Sequence, residues 1–146
     1  MRWSYAPHML HTSYWEFFQS YYTPQLAKMD LILKTIESPI CADEAARALA
    51  MTTKTVEKIM AQQGVSQIDQ EGFLQIAMHG DSSLCRLLQR ECMCGSPERY
   101  SPGNIAYIYG LQDDHVAAVC RKHGYEDVPA EALPEFLSKV YVYILQ

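Results

Sequence analysis

Residues 47 to 58 hold the side chains best suited to chemistry, and that chemistry is the binding of anions. Thr52, Thr53, Lys54 and Thr55 are consecutive, Glu57 and Lys58 follow, and Arg47 precedes them. Hydroxyl and ammonium groups donate to phosphate oxygens and base edges, and a guanidinium clamps a phosphate with two parallel bonds. Arg47, Thr52, Thr53, Lys54, Thr55 and Lys58 are therefore the candidate contacts to double-stranded DNA. Glu57 opposes them if it faces the same groove.

A second constellation is made of thiols. Cys92 and Cys94 flank Met93, with Cys85 before them and Cys120 and His123 after. Structural zinc wants four ligands in pairs, and C-x-C is tighter than the usual C-x-x-C knuckle. Cys85 and Cys92 also fit the apolar face of a helix, where a thiol is a small hydrophobe. Neither a metal nor a cofactor is expected. His8, His11, His79, His115 and His123 are paired with no nucleophile, and no hydrolase elbow, zinc-protease or phosphate-loop motif occurs. The expectation is that the protein is not an enzyme.

The elements that position the candidate contacts are legible from spacing. Glu44 to Val65 has the pattern of a helix-turn-helix: Ala46 where two helices cross, Ala50 and Met51 in the turn, Val56 on the buried face, Gly64 as the stop. This predicts one helix near residues 42–49 and a second near 53–63. A shift of 60 residues brings Ala46 onto Ala106, Ala50 onto Gly110, Val56 onto Val116, Ile59 onto Val119, Gly64 onto Gly124 and Ile68 onto Val128. The fold class expected is mostly α, with two tandem helix-turn-helix units. Ile68, the turn-forming Asp69 to Gly72, and Phe73 to Ile76 suggest a small β-hairpin, so the first unit is expected to be winged.

The two reading helices differ in charge. At the positions of the first unit's threonines and lysine, the second has Gln112, Asp113, Asp114 and His115. Carboxylates there repel phosphates, although they suit a helix N-terminus. The second unit is thus expected to serve assembly or to bind a protein partner.

The first 22 residues hold eight of the sixteen aromatic side chains, and Trp15, Phe18 and Tyr22 fall on one helical stripe. The stripe either covers the protein's own core, forms a homodimer interface, or stacks on single-stranded bases. Ser13 and Glu16 have capping-box spacing, which predicts a short helix over about 14–22. Thr23 and Pro24 then read as the start of a new helix carrying Leu26, Met29, Leu33 and Ile36. Residues 1–22, 23–79 and 80–146 are the expected segments. At the end of the chain, Val140 to Ile144 alternates as a strand would, while Phe136, Val140 and Ile144 have helical spacing.

The 146 residues are 49% hydrophobic and 20% charged, values of an ordinary globular chain, and the net charge of −5 requires any DNA contact to be local. Five cysteines make an odd count that fits a reducing compartment. No segment is apolar enough to span a membrane and no signal peptide is visible, so a cytoplasmic protein is expected.

On Glu44 to Val65 the chain resembles bacterial helix-turn-helix regulators, and with the segment after Ile68 it resembles the winged-helix superfamily. SPGNIAYIYGLQDDHV is similar to small helix-turn-helix proteins of bacteria and mobile elements. The tandem arrangement looks like that of paired winged-helix proteins such as plasmid replication initiators. Ala50 in the turn, Glu57, and Asp113 with Asp114 depart from the DNA-reading pattern. The resemblance implies a transcriptional regulator that binds double-stranded DNA through its first unit, as a dimer on a palindromic site. The alternative is a protein-interaction adaptor of phage or mobile-element origin that uses the same folds as packing units.

Overall fold

Ser13 opens the first helix by a bond that its spacing to Glu16 predicts: the Glu16 backbone N–H donates to Ser13 Oγ at 3.2 Å. The Glu16 carboxylate itself accepts from Thr12 Oγ1 at 2.9 Å. In this computed structural model, residues 9–145 are described, and they are mostly helical. Arg2, Trp3, Tyr5 and His8 lie outside the described residues. The elements are β1 (Met9–Ser13), α1 (Tyr14–Thr35), α2 (Ala42–Leu49), α3 (Thr53–Gln63), α4 (Gln70–His79) and α5 (Ser83–Met93). There follow β2 (Arg99–Tyr100), α6 (Pro102–Tyr109), α7 (Asp113–His123), β3 (Val128–Pro129), a 3-10 turn (Ala130–Ala132), α8 (Leu133–Leu137) and β4 (Tyr141–Leu145). No helix among the described residues is long and apolar enough to cross a membrane.

The chain divides into two compact units, residues 21–96 and the described residues up to 20 together with those from 97 on. The boundary expected near residue 80 falls between α4 and α5, inside the first of these. The helix break expected at Thr23 is absent, because α1 runs through Pro24. An interior proline costs about 3 kcal/mol, since it lacks the N–H and crowds the preceding turn. Burial of Tyr22, and of Met29, Ile32 and Leu33 against the core of the 21–96 unit, offsets that cost. The Gln25 side-chain amide also donates to the Tyr21 carbonyl at 2.7 Å.

In the 21–96 unit, α2 turns four small or slender residues inward, Ala45, Ala46, Ala48 and Leu49, so that neighbouring helices approach closely. Ala50 then takes the left-handed conformation at φ 57° and the Met51 N–H closes onto the Ala46 carbonyl at 2.9 Å. Thr52 caps α3 by accepting from the Thr55 N–H at 3.1 Å, and Gly64 ends it at φ 69°. Val56 and Ile59 bury the inner face of α3.

The hairpin expected after Ile68 is corrected to a helix. Ile68 pairs with Ile40 in an isolated bridge, and Asp69 begins α4 by accepting the Gly72 N–H at 2.8 Å. Phe73, Ile76 and Ala77 are buried at helical spacing. Gly72 supplies clearance within the helix rather than a turn, since a Cβ there would lie 2.5 Å from the Gln67 carbonyl oxygen. Ser82 caps α5 through the Cys85 N–H at 3.1 Å and donates to the Leu49 carbonyl at 2.7 Å, which ties α5 to the end of α2.

In the other unit, β1 and β4 form an antiparallel ribbon with Met9 opposite Leu145 and Ser13 opposite Tyr141. The ribbon resolves the two readings of the tail in favour of a strand. The Tyr14 N–H extends it onto the Val140 carbonyl at 2.7 Å. β2 and β3 pair Tyr100 with Val128. Ser101 caps α6 through the Asn104 N–H at 3.1 Å, and Gly110 ends it at φ 67°. α7 ends at Gly124, φ 77°, and α8 buries Leu133, Phe136 and Leu137.

The bounds of α6 and α7 lie 60 residues beyond those of α2 and α3, and the Tyr100–Val128 pair lies 60 beyond the Ile40–Ile68 bridge. Ala50 and Gly110 occupy the same left-handed turn position, and nothing lies within 4 Å of a Cβ built at Gly110. A left-handed alanine costs about 1 kcal/mol relative to glycine. Ala50→Gly is therefore expected to raise stability by about 1 kcal/mol and Gly110→Ala to lower it by about 1 kcal/mol. Urea unfolding of both variants checks this, and shifts of the same sign would contradict it.

Candidate nucleic-acid interface

α3 presents Lys54 and Lys58 at i and i+4 on its exposed side, and α2 presents an exposed Arg47. None of the three has an ion pair among the described residues. Three other cations are paired: Lys34 holds Asp30 at 2.8 Å, Arg99 holds Asp127 at 2.7 Å, and Lys139 lies 3.4 Å from Glu135. The hydrogen bond from the Arg99 guanidinium holds the Asp127 carboxyl below its usual range. Both groups are exposed, so this pair orients the β2–β3 end more than it stabilises it.

The threonines have internal work. Thr52 Oγ1, besides accepting the Thr55 N–H, lies 2.8 Å from Thr55 Oγ1. The Thr53 hydroxyl donates to Asp43 Oδ1 at 2.7 Å, which links the first turn of α2 to the first turn of α3. Sequence reasoning missed Asp43, and its only signal was a carboxylate in the first turn of the preceding helix. Asp43, Glu44 and Glu57 balance Arg47, Lys54 and Lys58 in formal charge. Attraction to a polyanion at this face is thus short-ranged, confined to roughly a Debye length of 8 Å at physiological salt.

On the other helix pair, 60 residues on, Arg47 is replaced by Tyr107, Lys54 by Asp114 and Lys58 by Ala118. Asp113 and Asp114 are exposed in the first turn of α7, and Arg121, Lys122 and His123 are exposed in its last. Each set complements the helix dipole at its own end.

The aromatic stripe of α1 is buried at Tyr22 and half-buried at Trp15 and Phe18. Trp15 and Phe18 stack at 5.4 Å, while Phe18 and Tyr14 both meet Tyr109 edge-on at 6.0 and 5.6 Å. Tyr22 is only 8% exposed.

Cys85 and Cys120 are buried, and desolvation pushes both thiols above their ordinary value. Such thiols are poor nucleophiles and poor metal ligands at neutral pH. Among the described residues, no three His, Cys, Asp or Glu side chains are grouped to hold a metal ion. No family model matches the chain, and no curated protein or solved structure does either.

Proposed function

We propose that the protein binds double-stranded DNA through the α2–α3 pair, read as the first of two helix-turn-helix units, with the α6–α7 unit assisting assembly. The observation that carries this reading is the set of three exposed cations on one helix pair, Arg47, Lys54 and Lys58, that have no carboxylate partner among the described residues. Each such cation that reaches a phosphate releases condensed counterions, which favours binding. The matched bounds of the two helix pairs and their left-handed turn residues support the tandem reading. In this reading the protein acts in the cytoplasm, where DNA-bound regulators work.

Fluorescence anisotropy with a duplex at about 50 and 200 mM salt tests it. The wild type is expected to bind with a steep salt dependence. Lys54→Ala with Lys58→Ala is expected to weaken binding about tenfold and to reduce the salt slope by about two. Unchanged affinity and slope would contradict the assignment of α3.

The replacement of those cations by Tyr107, Asp114 and Ala118 on α6–α7 supports a second reading, in which that face binds a basic protein and the chain is an adaptor. Absence of duplex binding even at low salt favours it.

A further inference from the structure

We infer that the α2–α3 face holds duplex DNA by its phosphates without reading base sequence, and that Asp43 acts as a built-in brake on the affinity. The inference rests on the DNA-binding reading above and specifies what kind of ligand that face takes.

Base readout from a recognition helix needs donors and acceptors near its N-terminus that can match a two-point pattern in the major groove. Along the first two turns of α3 the polar side chains are Thr52, Thr53, Lys54, Thr55, Glu57 and Lys58. The Thr53 hydroxyl proton is directed to Asp43. Thr52 and Thr55 share one of their two hydroxyl protons with each other, and the Thr52 oxygen is already engaged by the Thr55 N–H. A single hydroxyl proton is therefore left among three threonines, enough for one phosphate oxygen and too little to distinguish base pairs. Lys54 and Lys58 carry rotating point charges that a phosphate satisfies as well as a guanine edge. No arginine, asparagine or glutamine, the side chains that form planar two-point pairs with guanine or adenine, occurs in these turns. Arg47, the one fork on the face, lies on α2.

Asp43 gives this face its second property. Its carboxylate is held at the junction of the two helix N-termini by the Thr53 hydroxyl, at 2.7 Å. Those N-termini carry partial positive charge from unpaired N–H groups, where a phosphate would otherwise be drawn. A fixed anion there repels the incoming backbone whatever its sequence. Removing the charge while keeping the acceptor oxygen, as Asp43→Asn does, separates the electrostatic effect from the structural contact. Thr53→Ala does the reverse, removing the contact and keeping the charge.

The test is anisotropy of wild type, Asp43→Asn and Thr53→Ala on a panel of unrelated duplexes, with a selection from a randomised duplex pool. Circular dichroism confirms that each variant is folded. The wild type is expected to bind all duplexes within about threefold of one another, and the pool to yield no enriched motif. Asp43→Asn is expected to tighten every duplex alike, by about fivefold at low salt, and Thr53→Ala, which keeps the charge, to tighten none of them. A motif bound more than about tenfold above background would overturn the phosphate-only inference and would point to Glu57 with Lys54 as the readers. Unchanged or weaker binding by Asp43→Asn would overturn the brake. If the wild type binds no duplex at low salt, the DNA reading itself fails, an outcome distinct from either of these.

Discussion

Phe73→Ala is expected to remove about 3–5 kcal/mol of stability, the usual range for emptying a buried phenylalanine site. Phe73 is completely buried on α4 and belongs to the core of the 21–96 unit with Leu49, Val56, Ile68 and Ile76. The cost combines lost transfer energy with a cavity that this core closes poorly. Much of it is alanine contributed by α2 and has no long side chain to swing inward. Domains of this size are stable by roughly 5–15 kcal/mol, so the variant loses a large share of its margin. Urea unfolding followed by circular dichroism measures it. A loss below about 1 kcal/mol would mean that α4 does not hold the core as described. Phe73→Leu, which keeps most of the volume, is expected to lose less than half as much.

Phe136→Ala is expected to cost a similar amount, about 3–5 kcal/mol, by a different route. Its helix, α8, has five residues, too few to persist on hydrogen bonds alone. The ring is fully buried and meets Tyr125 edge-on at 5.4 Å, which fixes α8 against the segment after α7. Without the ring, α8 and the Val140 carbonyl that anchors Tyr14 lose their reference point. Hydrogen exchange is therefore expected to accelerate most at the amides of α8 and of the β1–β4 ribbon, ahead of those of α2 and α3. Uniform acceleration through the whole chain would contradict a local role for the ring.

Much of the fold was legible because it is written in local stereochemistry. Gly64, Gly110 and Gly124 stop helices where a left-handed residue is needed, so the bounds of α2 and α3 could be read from spacing and those of α6 and α7 follow from the 60-residue shift. The errors arose where one local signal has two meanings. Asp69 to Gly72 reads equally as a turn or as a cap and first helical turn. What decides is a carbonyl at Gln67 that leaves no room for a Cβ at residue 72, which is invisible in one dimension. Pro24 reads as a helix start, and only the burial on both sides of it carries α1 through. The short strand β1 had no recognisable pattern of its own, and its partner β4 was ambiguous until the two were paired. At the candidate interface, the cations were visible from composition and spacing. The commitment of the threonine hydroxyls and the placement of Asp43 were not, since both depend on side chains meeting across a helix junction.

The pairing of Met9 with Leu145 has a kinetic consequence. Residues 21–96 are contiguous, and every contact in that core becomes available once α5 has been synthesised. The ribbon, by contrast, closes a loop from residue 9 to residue 145, so β1 has no partner until β4 has been made. Long loop closures slow folding, and an unpaired strand edge is open to wrong partners while it waits. The order of assembly is therefore set by topology: the helical core that carries the candidate interface is complete first, and the ribbon that joins the two ends of the described chain is the last element to form.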